Sequence, residues 1–241
     1  MSAPGSPLAN AGHNLRIALG SPATCLSAAV VMILHTLFSF FVPMADHASW
    51  YQNLGLERAA FLAGKIWQVV TYAFLHGGWW HAGLNALFVF LIGSRVEHIA
   101  GRAAMLRVVA AGILGGGVGH LLLGAGLLVG MSGACIALLL LLTTLSPQSR
   151  MMPLPVSGRS LGFGILLAAL LLALVNPQLG APGFSEIGRT MERQGLGSWF
   201  QIGHACHFGG GLAGWIYGRW ILRPRVTLES LRRDRARREA R

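Results

Sequence analysis

Gly130-Met131-Ser132-Gly133-Ala134-Cys135-Ile136-Ala137-Leu138-Leu139-Leu140-Leu141-Leu142-Thr143-Thr144-Leu145 decides how this chain is read. A polar opening bounded by glycines leads into an apolar run of about fourteen residues, and at 1.5 Å per residue a helix of that length reaches roughly 21 Å. The hydrocarbon layer of a bilayer is about 30 Å thick, so such a helix sits inside a bundle with its N-terminus below the membrane surface. Irregular backbone at that depth, here the Gly124 to Gly130 region, is tolerated only where protein or a water-filled cavity surrounds it. Ser132 would begin the helix, where unpaired N–H groups and the positive end of the macrodipole favour a developing oxyanion. Gly130 and Gly133 allow close approach on both sides. Taken alone, the segment reads more simply as an N-cap serine flanked by packing glycines.

The rest of the chain supports a membrane setting. Of its 241 residues 54% are hydrophobic and 11% charged, with a mean hydropathy of +0.57, which describes an all-α integral membrane protein. Six apolar runs stand near Ala23 to Val42, Trp80 to Ala100, Ala103 to Leu123, Ser132 to Leu145, Leu161 to Val175 and Ala205 to Leu222. The expected architecture is a six-transmembrane-helix bundle over 21–222, with an N-terminal tail over 1–20 and a basic C-terminal tail over 223–241. Placing both termini inside leaves only Arg58, Lys65, Arg189 and Arg193 of the nineteen Lys/Arg residues outside, which satisfies the positive-inside rule. The first run exceeds a signal-peptide core and lacks a clean small-x-small cleavage site, so a retained helix is expected. The expected location is a bacterial inner (plasma) membrane with cytoplasmic termini.

The net charge of +11 does not point to nucleic acid, because nine of the basic residues lie between Arg219 and Arg241 and no basic patch with interleaved aromatics stands elsewhere. Cys25, Cys135 and Cys206 each adjoin or occupy an apolar run, which fits buried free thiols rather than disulfides or metal ligands. Of the two long outside segments, Pro43 to Trp79 is rich in Trp and reads as interfacial. Asn176 to His204 mixes Gly, Pro and charge and reads as a flexible loop.

In this topology the second, fourth and sixth spans all begin at the outer face, and each begins with polar residues. Polar groups inside hydrophobic spans are costly unless used or paired. His207 can serve as general base if its imidazole reaches Ser132 Oγ. Gly211, Gly214 and Gly218 below it form a small-residue stripe, and Gly210, Gly214 and Gly218 a tandem GxxxG series, so the fourth and sixth spans can pack closely. The bland reading of that segment is a glycine zipper with an incidental histidine. His81 and Asn85 are four apart, hence on one helical face, and can donate hydrogen bonds to an anionic oxygen. As a lone pair they read rather as interhelical glue.

Taken together, His76 and His81-Ala82-Gly83-Leu84-Asn85, Glu97 with Gly101, Gly130-Met131-Ser132-Gly133, and His207-Phe208-Gly209 with Gly214 resemble the rhomboid family of intramembrane serine proteases, in order and spacing over about two-thirds of the chain. The resemblance implies a rhomboid-like six-helix bundle and a Ser132/His207 dyad without a third carboxylate. It implies an oxyanion hole from Asn85, His81 and the Ser132 backbone, with Gly130, Gly133, His76 and Gly211 supporting the site. The implied substrates are transmembrane segments, cut near the outer leaflet beside small residues where the helix unwinds easily. Two positions depart from the family pattern. Trp67-Gln68 stands where Trp-Arg is frequent, which leaves the anchoring of the first outside segment open. Ile136 stands where an aromatic residue commonly packs on the histidine.

No metal or cofactor is expected: His204 lies three before His207, yet no carboxylate or further Cys completes a ligand set. His35 and His120 read as satisfied interhelical histidines, and His76 as a stabiliser of the outer end of the second span. A silent rhomboid-like protein that binds transmembrane segments is the alternative function. A transporter is disfavoured because neither acidic intramembrane residues nor an internal repeat is found. The Asn176 to His204 loop and the fifth span are the expected gate. Substrate identity and oligomeric state are not encoded in any motif.

Overall fold

The apolar runs become helices almost residue for residue. In the computed structural model, which describes residues 12, 15–150, 155–223 and 228–240, the first run is α1 (Pro22–Phe41). The first outside segment folds into three short helices, α2 (His47–Leu54), α3 (Arg58–Leu62) and α4 (Gln68–Thr71). The second run is α5 (Trp79–Ala100), and Gly101 at φ +87° turns the chain directly into α6 (Arg102–Leu123). Then follow α7 (Ser132–Leu145), α8 (Gly158–Leu174), α9 (Phe184–Arg193), α10 (His204–Ile221) and α11 (Leu228–Glu239). No β-strand occurs among the described residues. Of the N-terminal tail, residues 1–11, 13 and 14 lie outside them, as do 224–227 and 241 of the C-terminal tail.

Helices α1, α5 and α6 are long and apolar enough to cross a membrane, and α7 and α8 are shorter apolar helices. The bundle is apolar on its outside as well as its inside. Leu26, Ile33, Leu87, Leu114, Phe163 and Ile216 all project outward, a distribution that suits lipid rather than water.

The short central helix explains itself by its neighbours. Ala134, Ala137, Leu138 and Leu141 are buried on α7, which α6, α8 and α10 pack against. A Cβ on Gly210 or Gly214 would stand 2.2 Å from the carbonyl oxygens of Gly133 and Ala137 respectively, so α10 lies backbone against backbone on α7. Gly209 does the same against Gly115 of α6. Gly211 also faces α7, but it meets side chains there, those of Ile136 and Leu140, together with Leu166 of α8. The 100° step per residue separates positions 210 and 211, and the backbone contact falls on Gly210 and Gly214, while Gly218 meets the Thr144 and Leu141 side chains.

The first outside segment is more than interfacial. Trp50, Trp67 and Trp79 are partly exposed as expected, but Leu56, Gln68 and Tyr72 are wholly buried. Leu56 and Leu128 exchange two backbone hydrogen bonds at 2.9 Å, and Tyr72 O accepts from Gly130 N–H at 2.9 Å. The segment therefore braces the loop that leads into Ser132. Gln68 supplies the anchoring that the missing arginine left open. Its Nε2 donates to Gln52 O at 2.9 Å and to Asn53 O at 3.4 Å, while its Oε1 accepts from Glu57 N–H at 3.3 Å. Gln68→Ala strands these backbone groups, so unfolding in detergent should show a loss of about 1–3 kcal/mol; an unchanged midpoint would mean that water replaces the amide.

Two of the cations expected outside are tied to oxygens of the fold. Arg58 Nη2 donates to Leu122 O at 3.0 Å, at the C-terminal end of α6, and Lys65 Nζ to Asn53 Oδ1 at 2.8 Å. On the opposite side of the bundle Glu97 accepts from the Ala23 and Thr24 N–H groups at the start of α1, at 3.2 and 2.8 Å, and lies 3.7 Å from Arg102 Nε.

The expected flexible loop between α8 and α10 contains an ordered helix. Ser185 and Gly188 of α9 are buried, and a Cβ on Gly188 would run into Val175 O, so α9 sits on the end of α8. Glu186 and Arg189 pair across one turn, and the hydrogen bonds and charge of Arg189 hold the Glu186 carboxyl below its ordinary range. The pair is exposed and contributes little. A lowered carboxyl pKa gives stability that is present at neutral pH and lost as the pH falls through the folded-state value.

Candidate active site

Ser132 and His207 are 75 residues apart in sequence and meet at the N-terminal ends of α7 and α10, where His207 Nε2 lies 2.9 Å from Ser132 Oγ. The contact follows from the glycine seam below it, because Gly210 is three residues past His207 and its close approach to Gly133 O sets the helix separation. Cys206, beside His207, fills the space over Gly133, where a Cβ would stand 2.7 Å from its Sγ. Its thiol also lies 3.6 Å from the Tyr72 hydroxyl, which donates to Ile113 O at 2.7 Å.

The turn before Ser132 requires its glycine. Gly130 has φ +107°, and a Cβ there would lie 2.6 Å from His81 Nε2 and 3.6 Å from Asn85 Nδ2. His81 and Asn85 thus face the backbone just ahead of Ser132. Met131 N–H points to His76 Nε2 at 3.5 Å, while the Ala134 and Cys135 N–H groups go back to Met131 O at 2.9 and 3.1 Å. The Ser132 N–H stands in the first turn of α7, where N–H groups have no acceptor within the helix.

All four polar side chains border one cavity of about 540 Å³, bounded also by Ile136 and by Ala173 of α8. Residues 124, 125 and 127–129 before α7 and 200–203 before α10 also line it, so both segments of the expected gate, the loop and α8, contribute to the wall. Ser132 and His207 are half-buried, open to this space and otherwise enclosed.

The remaining histidines sort differently from one another. His120 Nε2 lies 3.0 Å from Gly126 O and His204 Nε2 2.9 Å from Trp199 O, so each holds a loop of the cavity rim. His35 departs from the expectation of a satisfied interhelical histidine: neither ring nitrogen has a hydrogen-bond partner among the described residues. It stands edge-on to Trp79 at 4.8 Å and to His76 at 6.2 Å, an aromatic packing that local sequence does not reveal. Among the described residues no group of three metal-ligating side chains occurs, and the ion pairs of Glu97, Glu186 and Glu239 do not reach His207.

One group near the site was passed over in the sequence. Cys135 reads there only as a buried thiol, yet its Sγ lies 3.4 Å from Asn85 Oδ1. Its position three residues after Ser132 on one helical face was the available signal.

The Rhomboid domain family matches residues 63–224. Human Rhomboid-related protein 3 is 32% identical over 76 residues, which are 32% of this chain and 19% of that protein. Rhomboid-like protein 16, chloroplastic, of Arabidopsis thaliana is 33% identical over 73 residues, 30% of this chain and 23% of that protein. The chain thus matches about a fifth of the length of these relatives, and since both are eukaryotic they lend no support to the bacterial membrane expected from the sequence. The family match takes in α5 to α10 and every polar residue around the cavity, and it makes this chain a membrane protein of the rhomboid family.

Proposed function

We propose that the chain is an intramembrane serine endopeptidase that hydrolyses peptide bonds in or near transmembrane segments of membrane proteins. The observation that carries this reading is the 2.9 Å approach of His207 Nε2 to Ser132 Oγ at the head of a helix that opens on a cavity. His207 takes the Oγ proton as the serine attacks the substrate carbonyl carbon, and the Ser132 N–H, Asn85 and His81 donate to the oxygen as it becomes negative. The imidazolium then protonates the leaving amine. Water from the cavity, deprotonated by the same histidine, releases the acyl group from Ser132.

In this reading Gly130 and Gly133 keep the approach clear, His76 holds the Met131 peptide, and Gly211 gives Ile136 room. The membrane domain covers 21–222 with six spans, both termini are cytoplasmic, and the basic tail over 223–241 lies on the inner surface. No cofactor is called for. The partners are transmembrane proteins and the bilayer.

Fluorophosphonate labelling of the detergent-solubilised protein, mapped by mass spectrometry, tests the reading without a known substrate. Ser132 should be labelled in the wild type and unlabelled in His207→Ala. Folded wild type that takes up no label would favour a silent relative that binds transmembrane segments without cutting them.

A further inference from the structure

Asn85 can serve an anionic oxygen only if its amide presents nitrogen to the cavity rather than oxygen. The two ends of the amide are nearly isosteric and chemically opposite: Oδ1 only accepts and Nδ2 only donates. Something must choose between them, and the choice is set by the neighbouring hydrogen-bond network.

The neighbour of this amide on α7 is Cys135, which borders the same cavity. Its side chain is 4% exposed, and its Sγ lies 3.4 Å from Asn85 Oδ1 and 3.7 Å from Asn85 O. A thiol carries one S–H donor, and sulfur accepts weakly. With Oδ1 toward Cys135 the thiol proton finds a good acceptor. In the flipped amide Nδ2 would face a poor acceptor and Oδ1 would face the His81 carbonyl oxygen, so the thiol and His81 O favour the same orientation. In the observed orientation Nδ2 donates one hydrogen to His81 O at 3.0 Å, and it lies 3.6 Å from the point that a Gly130 Cβ would occupy. The second Nδ2 hydrogen is then left toward the Gly130 turn that leads into Ser132.

We propose that Cys135 is a positioning residue for Asn85, its thiol donating to Oδ1 so that Nδ2 offers its second hydrogen to the substrate carbonyl oxygen as charge develops there. This rests on the protease reading. It adds a member to the site that lies on the serine helix itself, one turn below the nucleophile, and makes the oxyanion donor on α5 answer to the packing of α7.

The experiment uses the full chain in proteoliposomes with a quenched-fluorescent transmembrane peptide, comparing Cys135→Ser, Cys135→Val and Cys135→Ala, each alone and with Asn85→Ala. Ser keeps a donor and Val keeps the bulk, so the two separate hydrogen bonding from packing. Loss of the donor should lower kcat roughly five- to twentyfold with KM held within about twofold, a fraction of what loss of a whole oxyanion donor does. Val and Ala should show this loss, Ser should stay within about twofold of wild type, and none should lose further activity in the Asn85→Ala background.

Val at the wild-type rate, Ser as slow as Val, or losses that multiply with Asn85→Ala would each overturn the proposal. The decision rests on Ser against Val, both close to Cys in size, so an Ala variant that fails to fold leaves it standing or falling on that pair. Wild type that neither cleaves nor labels at Ser132 overturns the protease reading and this inference with it. Wild type that cleaves with a rate indifferent to these substitutions overturns the inference alone.

Discussion

Ser132→Ala should give a folded protein whose cleavage of a transmembrane reporter falls by at least about ten-thousandfold, with His207→Ala close behind. In the proposed mechanism the two groups act as one unit across their 2.9 Å contact: without Oγ the imidazole has nothing to activate, and without the imidazole the hydroxyl is a weak nucleophile. The double variant should therefore be no slower than the slower single one. Stability should change far less, since Ser132 is half-buried at the cavity and gives up one hydrogen bond, on the order of 1 kcal/mol. Cleavage rates in proteoliposomes and thermal unfolding in detergent measure the two effects separately. Cleavage by Ser132→Ala within tenfold of wild type would place the nucleophile elsewhere.

Gly210→Ala should damage both stability and activity although it touches neither reacting group. A methyl at that position would stand 2.2 Å from Gly133 O and 2.7 Å from Gly133 C, and backbone cannot swing aside as a side chain can. The helices α7 and α10 must separate, at a cost of about 3 kcal/mol, the upper end of ordinary overpacking. The same shift moves His207 away from Ser132, and a displacement near 1 Å costs about a hundredfold in rate. Gly214→Ala, 2.2 Å from Ala137 O, should behave alike. Gly164→Ala on α8 is the control: nothing lies within 4 Å of its added methyl, and the exchange should be neutral or stabilising by up to about 1 kcal/mol. Unfolding midpoints and fluorophosphonate labelling rates of the three variants read this out, and a Gly210→Ala protein as stable and reactive as the Gly164→Ala one would refute the seam.

Much of this was legible in the chain because it is local. Helix positions follow from runs of apolar residues whose length and composition belong to single segments, and the ends of α1, α5, α6, α7, α8 and α10 fall within a few residues of the apolar boundaries. His81 and Asn85 share a face because they are one helical turn apart, whatever surrounds them. The outside segments were less legible. A stretch with Trp, Gly and charge looks the same whether it rests on a leaflet or folds into a wall, and the burial of Leu56, Gln68 and Tyr72 depends on partners as distant as Leu128, Gly130 and Ile113. The helix α9 was hidden for the same reason, its Gly188 being chosen by the end of α8.

By itself the sequence determined a membrane bundle of helices with Ser132, His207, His81 and Asn85 at the heads of three of them, because hydropathy and helical period act within a segment. The tertiary structure alone decided that Gly210 and Gly214 meet α7 backbone to backbone while Gly211 meets side chains, that Gln68 anchors the first outside segment, and that the Cys135 thiol meets the Asn85 amide. Those contacts join residues far apart in the chain, and a side chain's partner across a helix interface is set by how two backbones pack, which no local pattern records.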